Sequence, residues 1–123
     1  MGYLTDRKRA VGLGASRTGT QQHWWMTVSS YGLIPLIILF IFIIGPLLGA
    51  PHDAVIAKLS QPFPAVVVGL TYVAGLLHFK NGSRMTIEDY THGYTRQILL
   101  VAVAALCYAM MAAGLFALAR IAL

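Results

Sequence analysis

The chain has 123 residues, 58% of them hydrophobic and 11% charged, with a formal net charge of +5. A soluble domain carries roughly 25% charged residues, so a mean hydropathy of +0.71 with the apolar residues gathered into long runs excludes a water-soluble globule and marks an all-α integral membrane protein. No RNA- or DNA-binding motif accompanies the basic balance, so no nucleic-acid partner is expected and the cations read as topology signals.

In chain order, residues 1–27 form a basic, polar tail that ends within "GTQQHWWMTVSS" at 19–30. Trp24 and Trp25 stand where the chain meets the bilayer, because an indole ring is apolar while its N–H wants water, and His23 shares that level. The first span is expected over 28–49, inside a run from 24 to 51 with no charge; a crossing takes about 20 apolar residues. That run is longer than the apolar core of a secretory signal, so no cleavage after "LLGA" is expected. The outer loop, 50–61, is short and polar, with a brief interfacial helix expected over 54–59. His52 and Asp53 within it are two adjacent ligands, which do not make a metal site.

The second span is expected over 62–79 and is open to extension toward residue 90. It begins with "PFP", where a proline in the first helical turn costs no internal hydrogen bond. Residues 80–96 follow as a cytoplasmic segment. The third span is expected over 97–120; it holds Cys107, the only cysteine and so a buried thiol without an intrachain partner. Ala109, Ala113 and Ala117 form a small-residue row expected to face protein, and Arg120 snorkels. Arg7, Lys8, Arg9, Arg17, Lys80, Arg84 and Arg96 then share one side of the membrane, against Lys58 and Arg120 on the other. The amino terminus is therefore expected in the cytoplasm and the carboxyl terminus in the periplasm.

Polar chemistry is concentrated in "LLHFKNGSRMTIEDYTHGY" at 76–94. On a helix, Thr71, Ala74, Gly75, His78 and Gly82 share one face, which sets small residues around a single imidazole. Such a face serves close helix packing with a hydrogen-bonded histidine, or it leaves the flat space that a porphyrin ligated by His78 needs. If the helix continues, Asp89 lies on the His78 face about 16 Å further on. Tyr90 follows, either as a belt residue or as a donor to a carbonyl at headgroup level. Glu88, Asp89 and His92 offer protons there, or else a solvated loop in which Glu88 pairs with Arg84.

His78, Gly82, Asp89 and Tyr90 in the pattern H-x3-G-x6-D-Y, followed by "THG", resemble the signature of the small hydrophobic membrane anchors of succinate dehydrogenase, respiratory complex II. The three spans, the "HWW" and the "PFP" fit the same family. The resemblance implies that His78 is an axial ligand of the iron of haem b, shared with a companion membrane-anchor subunit that brings the second histidine. It implies that Tyr90 hydrogen-bonds a carbonyl of ubiquinone, with Asp89 beside it in the quinone pocket. It also implies docking of a flavoprotein subunit and an iron-sulfur subunit, through which electrons from succinate reach quinone in a bacterial inner membrane. In this family an arginine near the start of the first span can serve the haem propionates. "MTVSS" has none, which leaves Arg84, Lys80 or His23 for that charge. A purely structural anchor and a small transporter or channel component are the competing readings, the second weakened because no charge lies near the middle of a span.

Overall fold

The computed structural model describes residues 5–12 and 19–123, so Arg17 lies outside the described residues. Among the described residues there are helices and no strand. A short α1 (Asp6–Val11) is capped by Thr5, whose side chain accepts from the Lys8 amide at 3.3 Å. Then come α2 (Gly19–Ile44), a single 3-10 turn (Gly45–Leu47), α3 (His52–Leu59), α4 (Pro62–Tyr90) and α5 (Gly93–Ala122). Three helical stretches, Gly19–Leu47, Pro62–Tyr90 and Gly93–Ala122, are long and apolar enough to cross a membrane.

Each helix ends where its backbone hydrogen bonding is interrupted. The "GPLLGAP" segment stops α2: it tightens into the 3-10 turn, turns at Gly49 with φ of 81°, and leaves Pro51 extended as the N-cap of α3. Asp53 in the first turn of α3 favours the positive end of the helix dipole, and α3 accordingly starts at His52 rather than at residue 54. Pro62 and Pro64 fill the opening turn of α4, where a missing N–H costs nothing. Pro35 inside α2 frees a carbonyl one turn earlier, which a span tolerates when neighbouring groups compensate.

Central position belongs to α4, which packs α2 on one side and α5 on the other, while α3 touches both α4 and α5. Toward α2, Thr71 Oγ1 donates to Val67 O at 2.7 Å and lies 3.4 Å from Leu36 O. A Cβ on Gly82 would sit 3.6 Å from the terminal methyl of Met26. Toward α5, the Tyr72 ring occupies the space a side chain on Gly114 would need, and its hydroxyl donates to Met110 O at 2.8 Å. Leu118 and Leu115 of α5 close over Gly69.

Buried side chains are few: Leu33 and Ile43 of α2, Pro64, Ala65 and Val67 of α4, and Cys107 of α5 at 1% exposure. The outer surface is apolar, as a hydrocarbon solvent requires. Trp24 and Trp25 project from the second turn of α2, both exposed. Ala109, Ala113 and Ala117 are exposed as well, and within the chain the close approach of α5 to α4 falls at Gly114.

Candidate functional site

His78 sits in the middle third of α4, half-buried, with its ring turned toward α2. Its Nδ1 lies 2.9 Å from Ser29 Oγ, and Ser29 Oγ lies 2.9 Å from Met26 O one turn back on α2. The small-residue face around His78 is thus used for packing α4 onto α2, which brings Ser29 to the imidazole. Beside the same histidine opens an apolar cleft of about 630 Å³, lined by His78, Phe79, Gly82, Ser83 and Thr86 of α4 with Leu99 and Val103 of α5 among its walls. One turn away, a Cβ on Gly75 would meet nothing within 4 Å.

Because α4 runs without a break to Tyr90, Asp89 and Tyr90 ride on the same helix as His78. Successive residues point about 100° apart, and the two side chains are separated accordingly. Asp89 lines a recess of about 210 Å³ with Gly19, Gln22 and His23 at the start of α2 and with Met85 and Glu88. Gln22 Nε2 is the one buried side-chain polar atom among the described residues without a hydrogen-bond partner. Tyr90 stands clear of this recess, 82% exposed.

Two residues, Thr91 and His92, reverse the chain into α5. Thr91 Oγ1 donates to Ile87 O at 2.6 Å, and Gly93 adopts φ of 63°, a left-handed conformation a side chain would strain. That requirement gives the glycine of "THG" its physical meaning. Glu88 ties the two helices together across this turn: it accepts from Arg84 Nε at 2.8 Å and lies 3.6 Å from Arg96 Nη2. Lys80 Nζ donates to Tyr108 OH at 2.9 Å and sits 4.9 Å from the centre of its ring.

Of the basic residues considered for a propionate partner, Arg84 is paired with Glu88, Lys80 with Tyr108, and His23 lines the Asp89 recess. None of the three lines the cleft beside His78. His52 and Asp53 lie 3.7 Å apart and largely exposed, and no group of three or more metal-ligating side chains converges among the described residues. Ser29, Met26 and Gln22 are the residues that sequence reasoning missed. For Ser29 the signal was faint: a hydroxyl at the start of an apolar run, with its partner on another helix.

Three spans, a membrane-level imidazole beside an open cleft, and an acidic recess at one end are features to set against known proteins. The profile of the family described as succinate dehydrogenase/fumarate reductase transmembrane subunit matches residues 1–116. The succinate dehydrogenase hydrophobic membrane anchor subunit of Paracoccus denitrificans is 39% identical over 123 residues, covering 100% of this chain and 95% of that protein. No solved structure matches the chain. With a match running through all three spans and the polar turn, this multi-pass membrane chain belongs to the family of succinate dehydrogenase/fumarate reductase transmembrane subunits, as a membrane anchor.

Proposed function

We propose that this anchor, which is part of an enzyme complex without being catalytic itself, contributes His78 as one axial ligand of a haem b shared with a companion membrane anchor. In the same reading, Tyr90 and Asp89 belong to a ubiquinone pocket at the cytoplasmic surface, where a flavoprotein and an iron-sulfur protein deliver electrons from succinate. The observation that carries this is the setting of His78: a half-buried imidazole, held from one side by α2, at the edge of an open apolar cleft of about 630 Å³. Sites for flat cofactors are of this size, roughly 300–1,000 Å³, and mostly apolar with a few placed polar groups. The donor set fits as well, since imidazole is a usual axial ligand and the cleft walls supply low polarity.

A bound haem supplies one-electron chemistry at a potential that its axial ligands and their hydrogen bonds set. The chain's own contribution is positional. His78 is oriented by Ser29; Phe79, Leu99 and Val103 keep the cleft dry; Gly82 keeps its floor low. At the end of α4, the Tyr90 hydroxyl donates to a quinone carbonyl as negative charge grows on that oxygen, which a placed donor stabilises. Asp89 and His23, sharing one recess, hand on protons that quinone reduction consumes.

The test is His78→Ala in the assembled complex. The expected result is loss or alteration of the reduced b-type haem spectrum and a less stable complex, with a smaller effect on succinate oxidation by the soluble subunits. Axial ligation joins two anchor subunits, whereas flavin chemistry takes place elsewhere. An unchanged haem spectrum would remove His78 from the ligands and leave a structural anchor.

A further inference from the structure

We infer that Ser29 is a positioning residue for the haem: its hydroxyl accepts the Nδ1–H of His78, fixing the tautomer that leaves the Nε2 lone pair free for iron. This rests on the reading of His78 as a ligand, and it adds to that reading a residue on a different helix with a defined role. A histidine bound to metal through one nitrogen characteristically donates from the other to a nearby acceptor, which sets ring orientation and raises the basicity of the ligating nitrogen. In this chain Ser29 Oγ, 2.9 Å from Nδ1, stands at that second position.

A hydroxyl has one proton and two lone pairs, so the direction of the Ser29–His78 bond depends on where that proton goes. Met26 O, 2.9 Å from Ser29 Oγ, takes it. The serine then presents a lone pair to the imidazole, and the bonds run in one direction: His78 Nδ1–H to Ser29 Oγ–H to the carbonyl of Met26. Bonds aligned in this way polarise one another. The Met26 carbonyl is shared, since it also receives the Ser30 hydroxyl at 2.8 Å. In the reverse arrangement Ser29 donates into Nδ1, the proton resides on Nε2, and that nitrogen is closed to iron.

The neighbouring contacts hold the pair together. Met26 packs its terminal methyl toward Gly82, one turn beyond His78 on α4, so the helix contact that supplies the carbonyl is the one that brings Ser29 within reach. Ser29 is half-buried, which limits competition from water for its lone pairs.

The experiment compares Ser29→Ala and Ser29→Thr with the unaltered protein in the whole membrane complex, reading haem transfer to excess apomyoglobin and the haem reduction potential. Loss of a second-sphere partner typically weakens metal binding by about 10–100-fold. Ser29→Ala should therefore release haem at least about 10-fold more readily. Its potential should move upward, because a less basic imidazole stabilises the oxidised iron less. Ser29→Thr keeps a hydroxyl that can bond back to the i−3 carbonyl, and it should restore both readouts. If Ser29→Ala leaves release and potential unchanged while His78→Ala alters the spectrum, the inference fails and the ligand reading survives. Tighter haem in Ser29→Ala would also overturn it, by showing that the serine donates to Nδ1. If His78→Ala itself leaves the haem spectrum untouched, the ligand reading fails and the Ser29 inference falls with it.

Discussion

The hydroxyl of Tyr90 is one oxygen atom on a ring that is 82% exposed, and its removal is the most economical probe of the proposed quinone pocket. Tyr90→Phe keeps the ring; a lost hydrogen bond of this kind costs about 1–3 kcal/mol, or roughly 5- to 150-fold in rate. Quinone reduction should slow by that factor while succinate oxidation with an artificial soluble acceptor stays nearly intact; full quinone reductase activity at limiting quinone would reduce Tyr90 to a belt residue. Asp89→Asn should give a milder, pH-dependent defect, since Asp89 lines the recess with His23 rather than sharing the direction of Tyr90. How legible were these residues? His78 could be picked out because its small neighbours repeat at helical spacing. Its partner Ser29 could not, because 49 positions of chain separate the two and only the packing of α2 on α4 joins them.

Helices have a different relation to the sequence. Hydropathy reports where hydrocarbon begins and ends, whereas a helix stops where its backbone bonds fail, so the runs at 28–49, 62–79 and 97–120 are legible as spans while the helices reach further, to Gly19, Tyr90 and Gly93. The clearest case is α4. Its 29 residues extend about 43 Å at 1.5 Å each, against a hydrocarbon core of about 30 Å. The surplus of about 13 Å accommodates the polar end of the helix, residues 80–90, to which the Arg84–Glu88 pair adds about 0.2–0.5 kcal/mol. Small-residue spacing was less informative. The alanine row of α5 repeats every four residues, yet the intimate contact falls at Gly114, because spacing alone does not say which of several faces meets a neighbour. Gly114→Ala should push a methyl into the Tyr72 ring and cost about 1–3 kcal/mol, as overpacking does. The change would appear as a lower denaturant midpoint, recovered in part by adding Tyr72→Leu. An unshifted midpoint would mean that α4 and α5 meet too loosely at Gly114 for an added methyl to be felt.

At the scale of the whole molecule, α2 begins and α4 ends at the same pole, where Gly19, Gln22 and His23 meet Glu88 and Asp89. The basic tail therefore precedes the pole that also carries Arg84 and Arg96, while α3 lies at the other. With positive residues retained on the cytoplasmic side, a membrane-impermeant thiol reagent added to intact cells should modify Ser60→Cys and spare Lys8→Cys, and inverted membranes should reverse the pattern. The opposite labelling would turn the molecule over in the membrane and move the proposed quinone pocket to the wrong surface. The native thiol adds only a slow background to such an assay. Cys107 lies seven residues before Gly114, on the same face of α5, and is 1% exposed. Its seal makes it a clock: reagent reaches this sulfur only when the helices part, so the slow labelling of unaltered protein counts the spontaneous openings of the bundle, without any engineered probe.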